Sequence, residues 1–490
     1  MKCISIFLIF LIFYLIISCQ RDTNPASPNQ PPNTTLANIP KVDDTLFALI
    51  TLHWDGEDYD GFISGYQYRY ITQHIFMGDS MVFDWITTTE TSVTIPFESS
   101  DLLNYQKFEV RAIDDKGAID PEPALRYFYT VQTVFPETEI VVPQNDQQFF
   151  VIDHTTDWWE GVPLTYTASD QDGEVVEFAW RVDDGDWTWT IDTSLYIHPS
   201  YFQPLDGPHK IAVISRDNTN LVDPIADSIT VVLVQPTFAK DMLIIDETDE
   251  ALFTGGLDDF YNRDDLVDAF YTSIFNTNET WDFKISGMPP KTLLGQYKLI
   301  IWHADNPYSN PQDVHKLPAH IEDVKDYLHV GGDLIMGGWR ILKSFAQEDP
   351  FPKTFEQGTF IHDYLHILEA DESSSFPDFV GCNPYPFPPY PNLPDTLYID
   401  TLKLADFPFN GKLFQINLMP RQAGFTEVMY VYANFITSPE PTWGWRGQPV
   451  GIRYYGSVFD TIVLGFPMFF LREDDAQTMA SQMLTSLGLH

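Results

Sequence analysis

Three short apolar stretches, DMLIIDE at Asp241–Glu247, YKLIIWHAD at Tyr297–Asp305 and GGDLIMGGWR at Gly331–Arg340, decide how this chain is read. Each run is rich in branched side chains and lacks polar alternation, the pattern of a strand covered on both faces in a parallel sheet. The segments around them, Leu257–Phe275 and Leu317–Val330, carry apolar residues at helical spacing. The order β-α-β-α-β therefore predicts a doubly wound α/β domain over residues 237–490.

In an open parallel sheet, ligands sit beyond the carboxyl ends of the strands, where the strand order reverses. Those ends carry Asp246, Glu247, His303, Asp305, Trp339 and Arg340, and a later strand at Thr461–Leu464 runs into Gly465-Phe466-Pro467. Acids, a histidine and an arginine in one crevice can run acid/base hydrolysis or hold a metal. The same residues can form a hydrogen-bonded collar around a non-catalytic cleft, and the collar is the expectation here. His303, next to Trp302, reads equally well as a structural histidine.

With 490 residues, roughly three domains of about 150 residues each are expected. Hydrophobic residues make up 44%, enough for sizeable cores, while 36 prolines favour turns and strand ends over long helices. Seventy acidic against 27 basic residues give a formal charge of -43, which repels a phosphate backbone and excludes nucleic acid as a partner. The acids are spread through turns and loops, so they read first as a solvated surface and second as cation ligands.

At the N-terminus, Lys2 precedes an apolar run from Ile4 to Ile17 and then Ser18-Cys19. The run has the length of a secretory signal and is too short to span a bilayer as a helix, so 1–18 is expected to be a signal peptide. Ile16-Ile17-Ser18-Cys19 resembles the bacterial lipobox, which implies that Cys19 carries the lipid and becomes the first residue of the mature chain. A multiply acylated cysteine holds a chain stably at a membrane surface. Gln20 is not an acidic retention signal, so the outer membrane is expected, with the protein facing the periplasm or the exterior. Cys3 leaves with the signal and Cys19 takes lipid, which leaves Cys382 alone in the folded part and permits no internal disulfide. The Pro-, Asn- and Thr-rich stretch 19–40 reads as an extended tether.

Between tether and α/β domain the sequence repeats. LHWDGEDYDGFISGYQYRY at Leu52–Tyr70 and KFEVRAIDDKGAIDPEPALRYFYTV at Lys107–Val131 correspond to LTYTASDQDGEVVEFAWRV at Leu164–Val182 and HKIAVISRDNTNLVDPIADSITVVLV at His209–Val234. Alternation sets Tyr66, Tyr68 and Tyr70 on one face, and Phe108, Val110 and Ala112 on another. The two copies, 41–134 and 135–236, resemble fibronectin type III or immunoglobulin-like sandwiches. Asp58 and Asp60 recur as Asp170 and Asp172, with Asp114 and Asp217 near a second turn. These carboxylates are candidate calcium ligands, or else Asx turns that close hairpins. Trp158, Trp159, Trp187 and Trp189 are either core or a sugar-stacking platform; the shared face of Trp187 and Trp189 favours core.

The C-terminal part is similar to the class I glutamine amidotransferase-like fold. The helix Ile321–Val330, the turn Gly331-Gly332 and the strand Asp333–Met336 match the elements that precede its nucleophile elbow. The resemblance implies cysteine at the elbow in amidotransferases and histidine in trehalose-utilisation relatives. Here the elbow falls at Gly337-Gly338-Trp339, without Cys, Ser or His, and the family's His-Glu pair has no counterpart, although His362 and His366 lie downstream. Acyl transfer needs an attacking side chain at that bend, so glutamine chemistry is not expected. Residues 351–420 depart from the pattern and read as an insertion, with PYPFPPYPNLP at Pro384–Pro394 favouring polyproline II. Asp475–Leu487 reads as a closing helix before Gly488. The expectation is a membrane-anchored lipoprotein that binds or scaffolds a protein or glycan partner without catalysis. An extracytoplasmic hydrolase using the strand-end residues and a carbohydrate-binding adhesin are its rivals.

Overall fold

The computed structural model describes residues 28–37, 45–46, 49–74, 80–97, 104–130, 134–151, 160–171, 173–218, 220–248, 264–306, 315–373, 378–385, 396–405, 413–434 and 444–489. The leader at 1–18, Cys19, Trp158, Trp159, Asp172 and residues 386–394 of the proline-rich strip lie outside them.

The two alternating sets of the first repeat, expected on different faces, lie on one face as cross-strand pairs. Tyr66 stands opposite Ala112, Tyr68 opposite Val110 and Tyr70 opposite Phe108 in the antiparallel pair Ile63–His74 and Asn104–Asp114. Phe108, Val110 and Ala112 pack against Leu52, Trp54 and Ile95 of a second sheet, so two sheets share one core. That second sheet begins earlier than its composition suggests. Asn33–Ala37, within the stretch read as tether, pairs antiparallel with Leu49–Glu57, and Thr34 Oγ1 accepts the Ala112 N–H at 2.8 Å. Low hydrophobicity does not prevent an edge strand when its backbone groups find partners.

The second repeat is built alike. Three strands, Glu137–Val142, Val162–Ser169 and Ser194–Ile197, face five that include Val175–Val182, Gly207–Asp217 and Asp227–Val234, around Leu164, Tyr166, Trp180, Val213 and Val231. Both repeats add one short parallel strand to the larger sheet: Thr45–Leu46 along Ala124–Thr130, and Gln147–Phe150 along Asp227–Val234. The tryptophans of the two cores are Trp54 and Trp180.

Among the described residues of the C-terminal part, nine strands form one mixed sheet. In chain order its strands and the longer helices around them are β1 (Lys240–Asp246), α1 (Asp264–Phe275), β2 (Thr280–Asp282), β3 (Tyr297–Ala304), α2 (Ile321–His329), β4 (Asp333–Gly338), α3 (Ile341–Ala346), β5 (Phe379–Pro384), β6 (Leu397–Tyr398), β7 (Thr426–Asn434), β8 (Pro449–Tyr455), β9 (Asp460–Leu464) and α4 (Glu473–Ser486). Spatially the strands run β2-β1-β3-β4-β9-β8-β7-β5-β6. From β2 to β9 the pairing is parallel, and from β9 to β6 it is antiparallel. The expected parallel sheet is thus half of a larger one. The stretch 351–420 supplies β5 and β6 to this sheet and also Lys353–Thr354 and Ile367–Glu372, which with Asn417–Gln422 form a separate three-stranded sheet; Cys382 is fully buried in β5 and burial pushes its thiol pKa up.

Both faces of the parallel half are covered, which explains why the runs do not alternate in polarity. Ile244, Leu299, Ile301 and Ile335 pack with α1 and α4, while Leu243, Ile245, Ile300, Trp302, Leu334 and Met336 pack with α2. Burying each such side chain contributes about 1.5–3 kcal/mol before chain entropy is counted. After β1 the chain crosses α1 to β2 on one side, then returns to β3 on the other. The order therefore reverses between β1 and β3, the place where a ligand crevice is expected.

Candidate functional site

The reversal point brings three of the six strand-end residues, Asp246, His303 and Asp305, together and buries them. Asp246 and His303 are opposite one another in register, and Asp246 Oδ1 lies 3.3 Å from His303 Nδ1. Thr248 links them: its N–H donates to Asp246 Oδ1 at 2.8 Å, and its hydroxyl lies 3.2 Å from His303 Nδ1. Helix α1 then covers the pair. The Tyr271 ring stacks on His303 with centroids 3.7 Å apart, and its hydroxyl donates to Asp305 Oδ2 at 2.9 Å. Asp264, Asp268 and Tyr271 fall on one face of α1 by spacing, which turns two further acids toward Asp246.

Burial sets the charge states. It drives the His303 pKa down to about 3, so the imidazole is neutral. It raises Asp305 to about 7, and it raises Asp246, with Asp264 and Asp268 adding repulsion. Asp246, His303 and Asp305 are at most 3% exposed.

Glu247 faces the other way and serves structure. Its carboxylate accepts Trp302 Nε1–H at 2.8 Å and the backbone N–H groups of Lys316 and Leu317, so it pins the turn that leads into α2. His315, which belongs to no sequence motif, lies 3.7 Å from Glu247 through Nδ1 and holds the Trp339 carbonyl through Nε2 at 2.8 Å. Only its position in a loop of unreadable fold concealed it.

The bend after β4 is closed. Trp339 is 2% exposed, with its N–H on the Ala304 carbonyl at 2.9 Å and its indole N–H on the Phe414 carbonyl at 3.0 Å. The residue in the left-handed region is Arg340, at φ 58, one position beyond the expected elbow. Its guanidinium is held by Glu372 at 2.6 and 3.2 Å. Trp339 and Arg340 are therefore held by structural contacts outside the Asp246–His303–Asp305 group. His362 and His366 are also apart from the strand ends: His362 Nδ1 meets Asp363 at 2.5 Å, and His366 stacks on Tyr454 at 3.7 Å.

In the sandwiches the repeated acids divide by role. Asp114 Oδ1 accepts the N–H groups of Lys116 and Ala118 at 2.9 and 2.7 Å, and Asp217 Oδ1 accepts that of Leu221 at 2.8 Å. Both accept from the backbone of their own turns, the arrangement of an Asx turn. Asp60 accepts from Gln30 N–H at 3.2 Å and pairs with Lys116 at 3.4 Å. Asp58 takes the Asp60 N–H at 3.3 Å. The motif's glycine has a steric reason: a Cβ on Gly61 would stand 2.2 Å from Asp115 Oδ1 and 2.4 Å from Asp58 Oδ2, and one on Gly173 would stand 2.6 Å from both Asn218 Oδ1 and Asp170 Oδ2. Among the described residues, no three His, Cys, Asp or Glu side chains are grouped to hold a metal ion.

Trp187 and Trp189 are not core. Each lies under a guanidinium on the outer face, Arg181 at 4.6 Å and Arg216 at 3.9 Å, and Trp189 is 37% exposed. Spacing alone fixed their shared face but not which face it was. The first sandwich does the same with Trp85 between Arg69 and Arg111, at 4.6 and 4.0 Å.

No family model matches the chain, and no curated protein does. Solved structures similar to parts of it include fibronectin(III)-like and PKD modules. The fibronectin(III)-like modules of Clostridium thermocellum CbhA share 17% identity over 41% of this chain and 95% of that one, with a TM-score of 0.19. The PKD1 domain of Vibrio anguillarum Epp shares 16% over 21% and 98%, at 0.14. The FN1-FN3 domains of chicken CNTN1 share 12% over 42% and 66%, at 0.19. The assignment of the two sandwiches rests on the strand pairing above.

Proposed function

We propose that this protein is an exported lipoprotein, tethered at a membrane surface through Cys19, whose sandwiches present a non-catalytic binding unit. The mixed sheet is read as a doubly wound α/β domain of glutamine amidotransferase-like descent. The observation that carries the non-catalytic reading is the bend after β4, where Trp339 is buried and Arg340 is held by Glu372. Neither side chain is a nucleophile. Assay of the full chain on glutamine, chromogenic esters and glycosides is expected to give no turnover above buffer; turnover abolished by Trp339→Phe or Arg340→Lys would overturn the reading.

Anchoring is tested separately. Cys19→Ala is expected to move the protein from the membrane fraction to the soluble fraction after export, and the wild-type N-terminal peptide should carry acyl mass. An unmodified cysteine in that peptide would refute lipidation. An extracytoplasmic hydrolase is the second reading, favoured by His303, whose Nδ1 faces Asp246 and whose buried Nε2 has no hydrogen-bond partner among the described residues. A hydrolase would lose all activity in His303→Gln while keeping its melting temperature.

A further inference from the structure

A cavity of about 380 Å³ opens where the second sandwich meets α2, with Phe149, Glu160 and Tyr196 on the sandwich side and Asp326 and His329 on α2. This is the lower part of the roughly 300–1,000 Å³ range of small-molecule sites, which favour such junctions between units. Tyr196 is 56% exposed beside it.

The lining narrows the ligand. An anion would meet the carboxyl groups of Glu160 and Asp326. A cation is not called for, because Lys291 already stands 3.3 Å from Asp326 and 2.6 Å from Asp323. A purely apolar molecule would strip water from two carboxyl groups without replacing their hydrogen bonds. Burial lowers the pKa of His329, so its ring is neutral at neutral pH, and Nε2 engages the Tyr364 hydroxyl at 2.9 Å. What remains is a neutral molecule with an apolar face for Phe149 and Tyr196 and several hydroxyl donors for the carboxylates. That description is a sugar ring.

We propose that this junction binds a neutral mono- or disaccharide unit of a glycan. The site is distinct from the strand ends and from the outer face that carries Trp189, so it stands or falls apart from the reading given above.

The test is calorimetric titration of the full chain with glucose, galactose, maltose, cellobiose and chitobiose. At least one is expected to bind, with about tenfold weaker affinity in Tyr196→Ala and in Asp326→Asn and unchanged affinity in Trp189→Ala. Tyr196 is exposed and Asn is isosteric with Asp, so melting temperatures of both variants should match the parent. No binding by any of the five sugars, or binding that survives both junction variants and is lost in Trp189→Ala, overturns the proposal.

Discussion

Asp305 and His303 are adjacent in the same crevice and respond to pH with opposite sign. Burial raises Asp305 from 3.8 to about 7, so its contribution is fully present below pH 4 and is lost as pH rises toward 7. Burial lowers His303 from 6.5 to about 3, so its contribution is present above pH 6.5 and is lost as pH falls toward 3. Asp305→Asn keeps an acceptor for the Tyr271 hydroxyl but has no charge to bury. The variant is expected to match the parent near pH 4 and to exceed it at pH 8, by at most about 4 kcal/mol for a shift of about three pKa units. Urea denaturation at the two pH values checks this, and equal stability at pH 8 would mean that Asp305 is not held in the buried acid form.

The same bend shows how elements constrain residues that sequence cannot distinguish. Gly337 and Gly338 end β4 side by side, yet a Cβ on Gly337 would make ordinary contact with Leu464 at 3.5 Å, whereas one on Gly338 would lie 2.4 Å from the Ala304 carbonyl oxygen. Gly338→Ala must displace β3 backbone and is expected to cost about 3 kcal/mol; Gly337→Ala should cost far less. Their denaturation midpoints give the comparison, and equal costs would mean that β3 and β4 do not approach as closely as described. The strands themselves were readable because burial on both faces leaves uninterrupted apolar runs. The antiparallel strands β5 to β8 were not, since β5 and β6 lie among prolines and long connections that resemble a loop. Spacing located the residues at the strand ends, but their closure comes from α1, whose Tyr271 contacts no periodicity reveals. Arg340 likewise looked like a cleft residue until Glu372, distant in sequence, was brought beside it.

At the scale of the whole molecule, the second sandwich and the C-terminal sheet share a core rather than a linker. Phe150 and Val234 belong to sandwich strands yet cluster with Leu294, Tyr297 and Tyr327. Gln148 accepts the Thr292 N–H at 3.0 Å, and Thr237 and Phe238 both donate to the Gly295 carbonyl, at 2.8 and 3.0 Å. Domains joined by flexible linkers melt independently, whereas a shared apolar core couples them. Phe150 is 2% exposed, and Phe150→Ala is expected to destabilise by about 3–5 kcal/mol. The loss should fall on both units: in the parent, intrinsic fluorescence and far-ultraviolet circular dichroism of a 135–490 fragment should report one transition, and in the variant they should separate. A 240–490 fragment, which leaves that surface uncovered, should melt below 135–490 and bind a hydrophobic dye. Equal melting of the two fragments would show that the sandwich only rests against the sheet, and the saccharide cavity between them would then lack a rigid frame.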